Sequence, residues 1–415
     1  MRKKLLLSSF TLLIFTIAFT QQNTIQVKAP GNFPIRAISI SVPPAEKIDS
    51  FVTFIANDLA PRRLNTLVLR VNYHYQYKSH PELIDDDALT EADVKKIVAV
   101  CRENNIKIIP QINLFGHQSS AGRIGKLLEK YPQFDETPWI PLPANYKWPN
   151  ADSLYCKSYC PLHPDVHNIV FKLVDEICDV FETNAFHAGM DEIFYIGMDK
   201  CPRCGGKNKA ELFANEVNKV RDHLAEKGRT LYIWADRLID GLATGLGGWE
   251  GSFNYTWPAI HMVKKDVVMC DWHYERPDKT AAYFATHGFK VITCTWNRPA
   301  VAVEQHKDMQ KFYAESAPEM SANFLGMMQT VWSGTSRFYY EYYNTGYDTA
   351  RRSAGKAFRD GFPKANVTKY KDDNGFPIIA YALCKSPEQI ADINFSGITH
   401  MNYAFFNPDS NGNFT

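Results

Sequence analysis

The chain has 415 residues, 45% hydrophobic and 13% aromatic, and its 46 Lys and Arg against 45 Asp and Glu leave a net charge of +1. That balance describes a globular protein with a sizeable core and excludes the basic face or stripe of a dedicated nucleic-acid binder, for no dense run of Lys or Arg occurs. The aromatic surplus points to sugars or to a large core instead.

In chain order, Met1-Arg2-Lys3-Lys4 precedes an apolar stretch from Leu5 to Phe19, with Ala18 and Thr20 as small residues before a cleavage point. This predicts a secretory signal peptide over residues 1–22, hence a secreted or periplasmic protein with no membrane attachment after signal removal. The stretch is shorter than the ~20 residues a spanning helix needs. From Ile35 onward β-branched runs alternate with amphipathic segments, the pattern of parallel strands with helical crossovers. Eight strands are predicted: Ile35 to Val42, Asn65 to Tyr73, Ile106 to Asn113, Ala185 to Asp191, Thr230 to Ala235, Asp266 to Trp272, Phe289 to Thr295 and Leu325 to Trp332. Helical spacing marks Thr90 to Asn104, with Thr90 and Asp93 set as a cap, and then Asn208 to Lys227 and Val301 to Ala314.

Eight such units over residues 23–365 predict an α/β fold, a (β/α)8 TIM barrel. A doubly wound open sheet is the alternative, but it wants a Gly-rich first turn where Val42-Pro43-Pro44 stands. The segment Tyr131 to Pro164, with Trp139, Trp148 and Tyr155, is a long loop suited to shaping a cleft. A linker, 366–376, turning polar after Tyr370 with Lys371-Asp372-Asp373-Asn374-Gly375, leads to a new β pattern over 377–415, too short to bury a core alone and expected to open a second domain.

Barrel catalytic groups sit at strand C-termini. The polar and aromatic candidates are Arg36 on the first strand, Asn72 to Tyr75 on the second, Asn113 and His117 after the third, and Asp191 and Glu192 on the fourth. Trp234 and Asp236 end the fifth, Trp272 and Tyr274 the sixth, Trp296 and Asn297 the seventh and Trp332 the eighth. Asp191 and Glu192 are adjacent, so on a strand they point to opposite faces and their jobs differ. With a substrate bearing a 2-acetamido group, whose carbonyl oxygen attacks the anomeric carbon, Glu192 serves as acid then base and Asp191 holds the acetamide N–H. The tryptophans wall an acetamide pocket or pack as ordinary core.

His187-Ala188-Gly189-Met190-Asp191-Glu192 resembles the His-x-Gly-x-Asp-Glu signature of glycoside hydrolase family 20, the β-N-acetylhexosaminidases. Ile109 to His117 looks like that family's third strand with its Gly-His element. The resemblance runs from about Arg36 to Trp332. It implies an exo-acting, retaining hydrolase of terminal β-linked N-acetylhexosamine, working on an oligosaccharide or glycoconjugate without a cofactor. By position it implies that Arg36 binds sugar hydroxyls, Asp191 orients the acetamide, Glu192 is acid and base, and Trp234, Trp272 and Trp332 line the pocket. His117, His187, Tyr274 and Trp296 complete the expected substrate-binding set. Two positions depart from the family: Thr295-Trp296-Asn297 stands where a Tyr and an Asp are usual, and Gly334 where an acid follows the last Trp. Those departures leave GlcNAc or GalNAc open and motivate the rival reading, a carbohydrate-binding barrel that has lost turnover. The short form looks more like the hexosaminidase D branch than the lysosomal enzymes. Ile378 to Tyr381 and Ile398 to Phe405 resemble the first two strands of glycoside hydrolase family 18, the chitinase-like barrels; that family's Asp-x-x-Asp-x-Asp-x-Glu catalytic strand is absent, so no activity is expected of this segment and a truncated bifunctional chitin-degrading protein is the expectation.

Nine Cys are present, an odd number, and Cys101, Cys178, Cys270 and Cys294 sit in apolar periodic segments as small buried hydrophobes. Cys156 and Cys160 with Cys201 and Cys204 suit disulfides in an oxidising compartment, or else a four-thiolate zinc site. A metal-dependent hydrolase built on His117, His187 and Asp191 is a further reading, weakened by the spacing of His187 and Asp191 on one strand.

Overall fold

The computed structural model describes residues 33–364 apart from 121, 143–155, 345 and 347–348, together with the backbone of 379–382 and 400–403. The expected signal peptide 1–22, the linker 366–376, Trp148, Tyr155 and Cys384 lie outside the described residues.

Each predicted strand run forms a strand: β1 Ile35–Ser41, β2 Thr66–Arg70, β3 Lys107–Leu114, β4 Ala185–Gly189, β5 Thr230–Trp234, β6 Val268–Trp272, β7 Val291–Thr295 and β8 Phe324–Thr330. Every neighbouring pair is parallel, and β8 pairs back onto β1 with Ile35 opposite Gly326 and Ser39 opposite Thr330. The sheet therefore closes into an eight-stranded barrel, which rules out the open doubly wound sheet. Strands buried on both faces need apolar side chains throughout, and β2, β4, β6 and β7 are buried at every position.

Between the strands run α1 Ile48–Phe54, α2 Glu91–Glu103, α3 Val166–Val180, α4 Lys209–Ala225, α5 Thr280–Thr286, α6 Pro299–Glu315, α7 Thr335–Tyr343 and α8 Ala354–Gly361. The predicted capping box exists: the Thr90 side chain accepts from the Asp93 N–H while Asp93 accepts from the Thr90 N–H. Such a cap contributes about 1 kcal/mol to α2. Asn208 caps α4, accepting from the Ala210 and Glu211 N–H groups. The fifth unit departs from the pattern, because β5 is followed by an irregular segment and the short helical turn Trp257–His261 rather than a full helix. That irregular segment runs over the catalytic face.

Two apolar clusters hold the barrel. One packs strands against helices, and the other fills the interior with Ala37, Val68, Ile109, Ala185, Tyr232, Trp234, Cys270, Trp272, Ile292, Cys294 and Met328, drawn from all eight strands. Ile379–Ala382 and His400–Tyr403 form a separate parallel pair. Among the described residues no helix is long and apolar enough to cross a membrane.

Candidate active site

The acid pair stands just beyond β4. Gly189, Met190 and Glu192 all have positive φ, at 69°, 66° and 52°, so the backbone does not continue the strand's alternation. This corrects the expectation of opposite faces: both carboxylates turn towards one imidazole. His117 Nε2 lies 3.1 Å from Asp191 Oδ2 and 3.3 Å from Glu192 Oε2. The imidazole is presented by the turn after β3, where Phe115 and His117 also have positive φ, 66° and 53°. Gly116 between them has no substitute, since a Cβ there would stand 2.6 Å from the Asp191 carbonyl oxygen.

Two carboxylates in one buried site repel, and the surroundings decide which ionises. Burial raises the Asp191 pKa, but the charge and hydrogen bond of His117 outweigh it and the carboxyl is held below its ordinary 3.8. The carboxylates in turn hold His117 well above its ordinary 6.5 in spite of its burial. Glu192 is raised above 4.5, by burial first and then by the nearby Asp236 charge. Carboxyl groups driven apart in this way are suited to different roles, one staying ionised and one carrying a proton.

Asp236, a strand-end candidate given no role in the expected substrate-binding set, and Trp249, which the sequence does not single out, support Glu192. Asp236, buried beside β5 and paired with Arg237 at 2.6 Å, accepts the Glu192 N–H at 3.0 Å and the Trp272 indole N–H at 3.2 Å. Trp249 reaches in from the irregular segment after β5 and donates its indole N–H to Glu192 Oε1. Asp236 was visible as a strand-end acid; nothing in the local pattern around Trp249 aims it at Glu192.

The aromatic candidates converge around the pair. Trp234 is buried at the end of β5 between His187, at 4.4 Å between ring centroids, and Trp332, at 5.5 Å. Trp272 stacks on Tyr274 at 5.1 Å, and Trp296 meets Tyr274 edge-on at 5.2 Å. The Tyr274 hydroxyl accepts the Trp332 indole N–H at 2.8 Å. Trp332 is the open side of this bowl, 36% exposed against 1% for Trp234 and 4% for Trp272.

Three expected residues are placed elsewhere. Arg36 is near the start of β1, at the N-terminal end of the barrel, where its Nη2 donates to the Arg62 carbonyl at 3.1 Å and its guanidinium covers Phe362 at 5.2 Å. It cannot reach the acid pair. The arginine at the catalytic face is Arg70, the last residue of β2, buried and donating to Ser39 Oγ at 3.2 Å and Ser41 Oγ at 2.9 Å. It stacks 4.6 Å over Trp332, and Asp191 lies close enough to oppose the effect of burial on its charge. His187 turns into the barrel, where Nδ1 accepts the Gly189 N–H at 3.0 Å, so it shapes the floor under Trp234 and does not join His117 and Asp191 as a metal triad. Cys156 leaves the other three candidate thiols and lies against the acid pair, 3.5 Å from the Glu192 carbonyl oxygen. All eight described cysteines are free, so the expected disulfides among 156, 160, 201 and 204 are not formed.

The departures also acquire places. Asn297 accepts the Ser353 N–H at its carbonyl and faces Arg352 with its side chain, binding the segment before α8. Gly334 precedes α7, and a Cβ there would meet nothing within 4 Å.

Fold and site together define a TIM barrel with an acid pair and an aromatic bowl at its C-terminal face. The chain belongs to glycosyl hydrolase family 20: residues 63–341 match the model of that family's catalytic domain. It is 26% identical over 204 residues to a lacto-N-biosidase of Bifidobacterium bifidum, covering 46% of this chain and 16% of that protein. With a β-hexosaminidase of Akkermansia muciniphila it shares 27% over 152 residues, 35% of this chain and 29% of that one. It thus spans less than a third of the length of these two relatives. Among solved structures, the chitobiase of Flavobacterium johnsoniae superposes with a TM-score of 0.57 at 18% identity, over 82% of this chain and 49% of that one. An exo β-N-acetylglucosaminidase of Vibrio harveyi in complex with N-acetylglucosamine gives 0.54 at 15%, over 83% and 56%. At such identities these likenesses establish the shared barrel.

Proposed function

We propose that this barrel removes terminal β-linked N-acetylhexosamine with retention, using the substrate's own 2-acetamido group as nucleophile. The observation that carries the reading is the state of Asp191. His117 engages Oδ2 at 3.1 Å, while Oδ1 is buried and has no hydrogen-bond partner among the described residues, an ionised acceptor available to an acetamide N–H. Desolvating such an atom is costly unless something pairs with it.

The steps follow from the charges. Glu192, its pKa raised, gives its proton to the departing glycosidic oxygen as the acetamide carbonyl oxygen bonds to the anomeric carbon. Asp191 takes the N–H hydrogen bond and stabilises the positive charge spreading over the cyclised acetamide. Glu192, now a carboxylate, removes a proton from water, which opens the ring with a second inversion and so restores the β configuration. Trp234, Trp272 and Trp332 offer apolar surface to the acetamide methyl, and Arg70 takes over the hydroxyl-binding role expected of Arg36. The names of the relatives, lacto-N-biosidase and β-hexosaminidase, support this substrate class. A pure carbohydrate binder has no use for carboxyl groups driven apart in pKa, which disfavours the rival.

The test is release of 4-nitrophenol from the β-N-acetylglucosaminide and the β-N-acetylgalactosaminide, with and without a thiazoline mimic of the cyclised acetamide. Turnover blocked by the thiazoline is expected, and the rate ratio names the sugar. Folded protein that binds the sugars yet hydrolyses neither favours the binding barrel.

Two wider readings belong here. The Met1 to Phe19 pattern supports export to a secreted or periplasmic location. The parallel pairing of Ile379–Ala382 with His400–Tyr403 requires a crossover between successive strands, which supports residues 377–415 as the opening of a chitinase-like second barrel.

A further inference from the structure

Outside the catalytic centre, one buried cluster of ligating side chains has no role in the chemistry above. Cys160, from the long loop after β3, meets Cys201 and Cys204, from the loop after β4, and the fourth member is Glu136. One ligand atom from each of the four lies within 4.8 Å of the others, and all four residues are buried.

We propose that Glu136, Cys160, Cys201 and Cys204 form a tetrahedral three-thiolate, one-carboxylate site for zinc. The distances suit it. Zinc–sulfur bonds of about 2.3 Å at tetrahedral angles separate two thiolates by about 3.8 Å, and Cys160 Sγ and Cys201 Sγ are 3.6 Å apart. A disulfide needs about 2.05 Å. Cys201 and Cys204 have the Cys-x-x-Cys spacing of half a structural zinc site. Their loop has the tight turn such a pair needs, with Cys201 N–H on the Met198 carbonyl at 2.7 Å and Gly205 N–H on the Cys201 carbonyl at 3.0 Å. A Cβ at Gly205 would stand 2.7 Å from the Asp199 and Cys201 carbonyl oxygens, so the turn depends on glycine.

Glu136 supplies the independent argument. Its carboxyl is fully buried, accepts the Met198 N–H at 3.0 Å and faces Cys204 Sγ at 2.8 Å, yet among the described residues no Lys, Arg or His forms an ion pair with it. A buried carboxylate calls for a cation, and zinc among three thiolates provides one. In contrast, the neighbouring Asp135 has its own cation, Lys157 at 2.7 Å. The proposed ion would clamp the loops after β3 and β4, the two that carry His117 and follow Glu192.

The experiment uses the full chain purified without chelator. Elemental analysis should find about one zinc per chain, and all three cluster thiols should titrate in denaturant without prior reduction. Exchange for cobalt(II) should give a near-ultraviolet thiolate-to-metal band with strong tetrahedral visible bands, weakened in Glu136→Gln and Cys204→Ser. Glu136→Cys should keep the metal and strengthen the thiolate band, a gain that misfolding cannot mimic. The proposal is overturned if reduced, folded protein takes up no cobalt with thiolate bands, or if peptide mapping of the protein as purified finds a Cys160–Cys201 disulfide.

Discussion

Replacing Glu192 with Gln removes a transferable proton while leaving an oxygen to accept the Trp249 indole N–H and a backbone N–H for Asp236. The site should therefore keep its shape and lose its acid. A positioned general acid is worth about 10²–10⁴-fold, or roughly 3–5.5 kcal/mol of barrier. The loss should depend on the leaving group, because nitrophenolate departs almost unaided whereas a sugar alkoxide does not. The assay is kcat/KM, which reports steps up to the first bond cleavage, for the 4-nitrophenyl glycoside and for the matching β-linked disaccharide. The disaccharide should lose about 10⁴-fold and the aryl glycoside nearer 10², while kcat for the aryl glycoside falls further because water then lacks its base. Equal losses below about tenfold on both would refute the assignment of Glu192 as the proton donor.

The pKa directions give a bell-shaped pH profile, with activity lost on the acid side below 3.8 as Asp191 protonates and on the alkaline side above 4.5 as Glu192 ionises. Trp249→Phe removes a hydrogen bond that favours ionised Glu192, so the alkaline limb should move upward in a pH-rate titration. Arg70 and Arg36 separate by assay. Arg70→Lys keeps the charge but loses the fork and should raise KM about tenfold, whereas Arg36→Ala should leave kcat/KM within about twofold and lower Tm by about 2–4 °C, for roughly 1 kcal/mol of lost cation–π and hydrogen-bond energy.

The barrel was legible because its strands are local: the β-branched runs are buried on both faces over most of their length, and the spacing of Val94, Ile97, Val98 and Cys101 marks α2 as plainly as the Thr90 cap does. The acid pair was legible because it follows one strand with a neighbouring Gly-His element. Arg36 has the residue type for sugar hydroxyls but not the position. It stands near the beginning of β1, and the strand-end rule, applied strictly, selects Arg70. Trp249 was beyond reach, since an irregular segment brings it to Glu192 from 57 residues away. Cys156 was grouped with Cys160 by spacing, yet only Cys160 reaches Cys201, and the carboxyl completing that cluster belongs to a Glu no cysteine pattern announces.

Phe115, His117, Met190 and Glu192 all hold left-handed backbone, four non-glycine residues gathered around one imidazole and two carboxyl groups. At about 1–2 kcal/mol each, their combined cost approaches the whole net stability of an ordinary domain, about 5–15 kcal/mol. The surrounding barrel must be stable enough to hold them there. Selection for heat resistance has no easy route to relieving that strain, because Phe115 and Met190 are also buried core side chains, Phe115 stacked on Phe213 at 6.3 Å, and Gly or Asn there would lose about 2–5 kcal/mol of packing for about 1–2 kcal/mol of strain released. Such variants should melt earlier as well as work more slowly, so durable catalysts are better sought by reinforcing the outer helices.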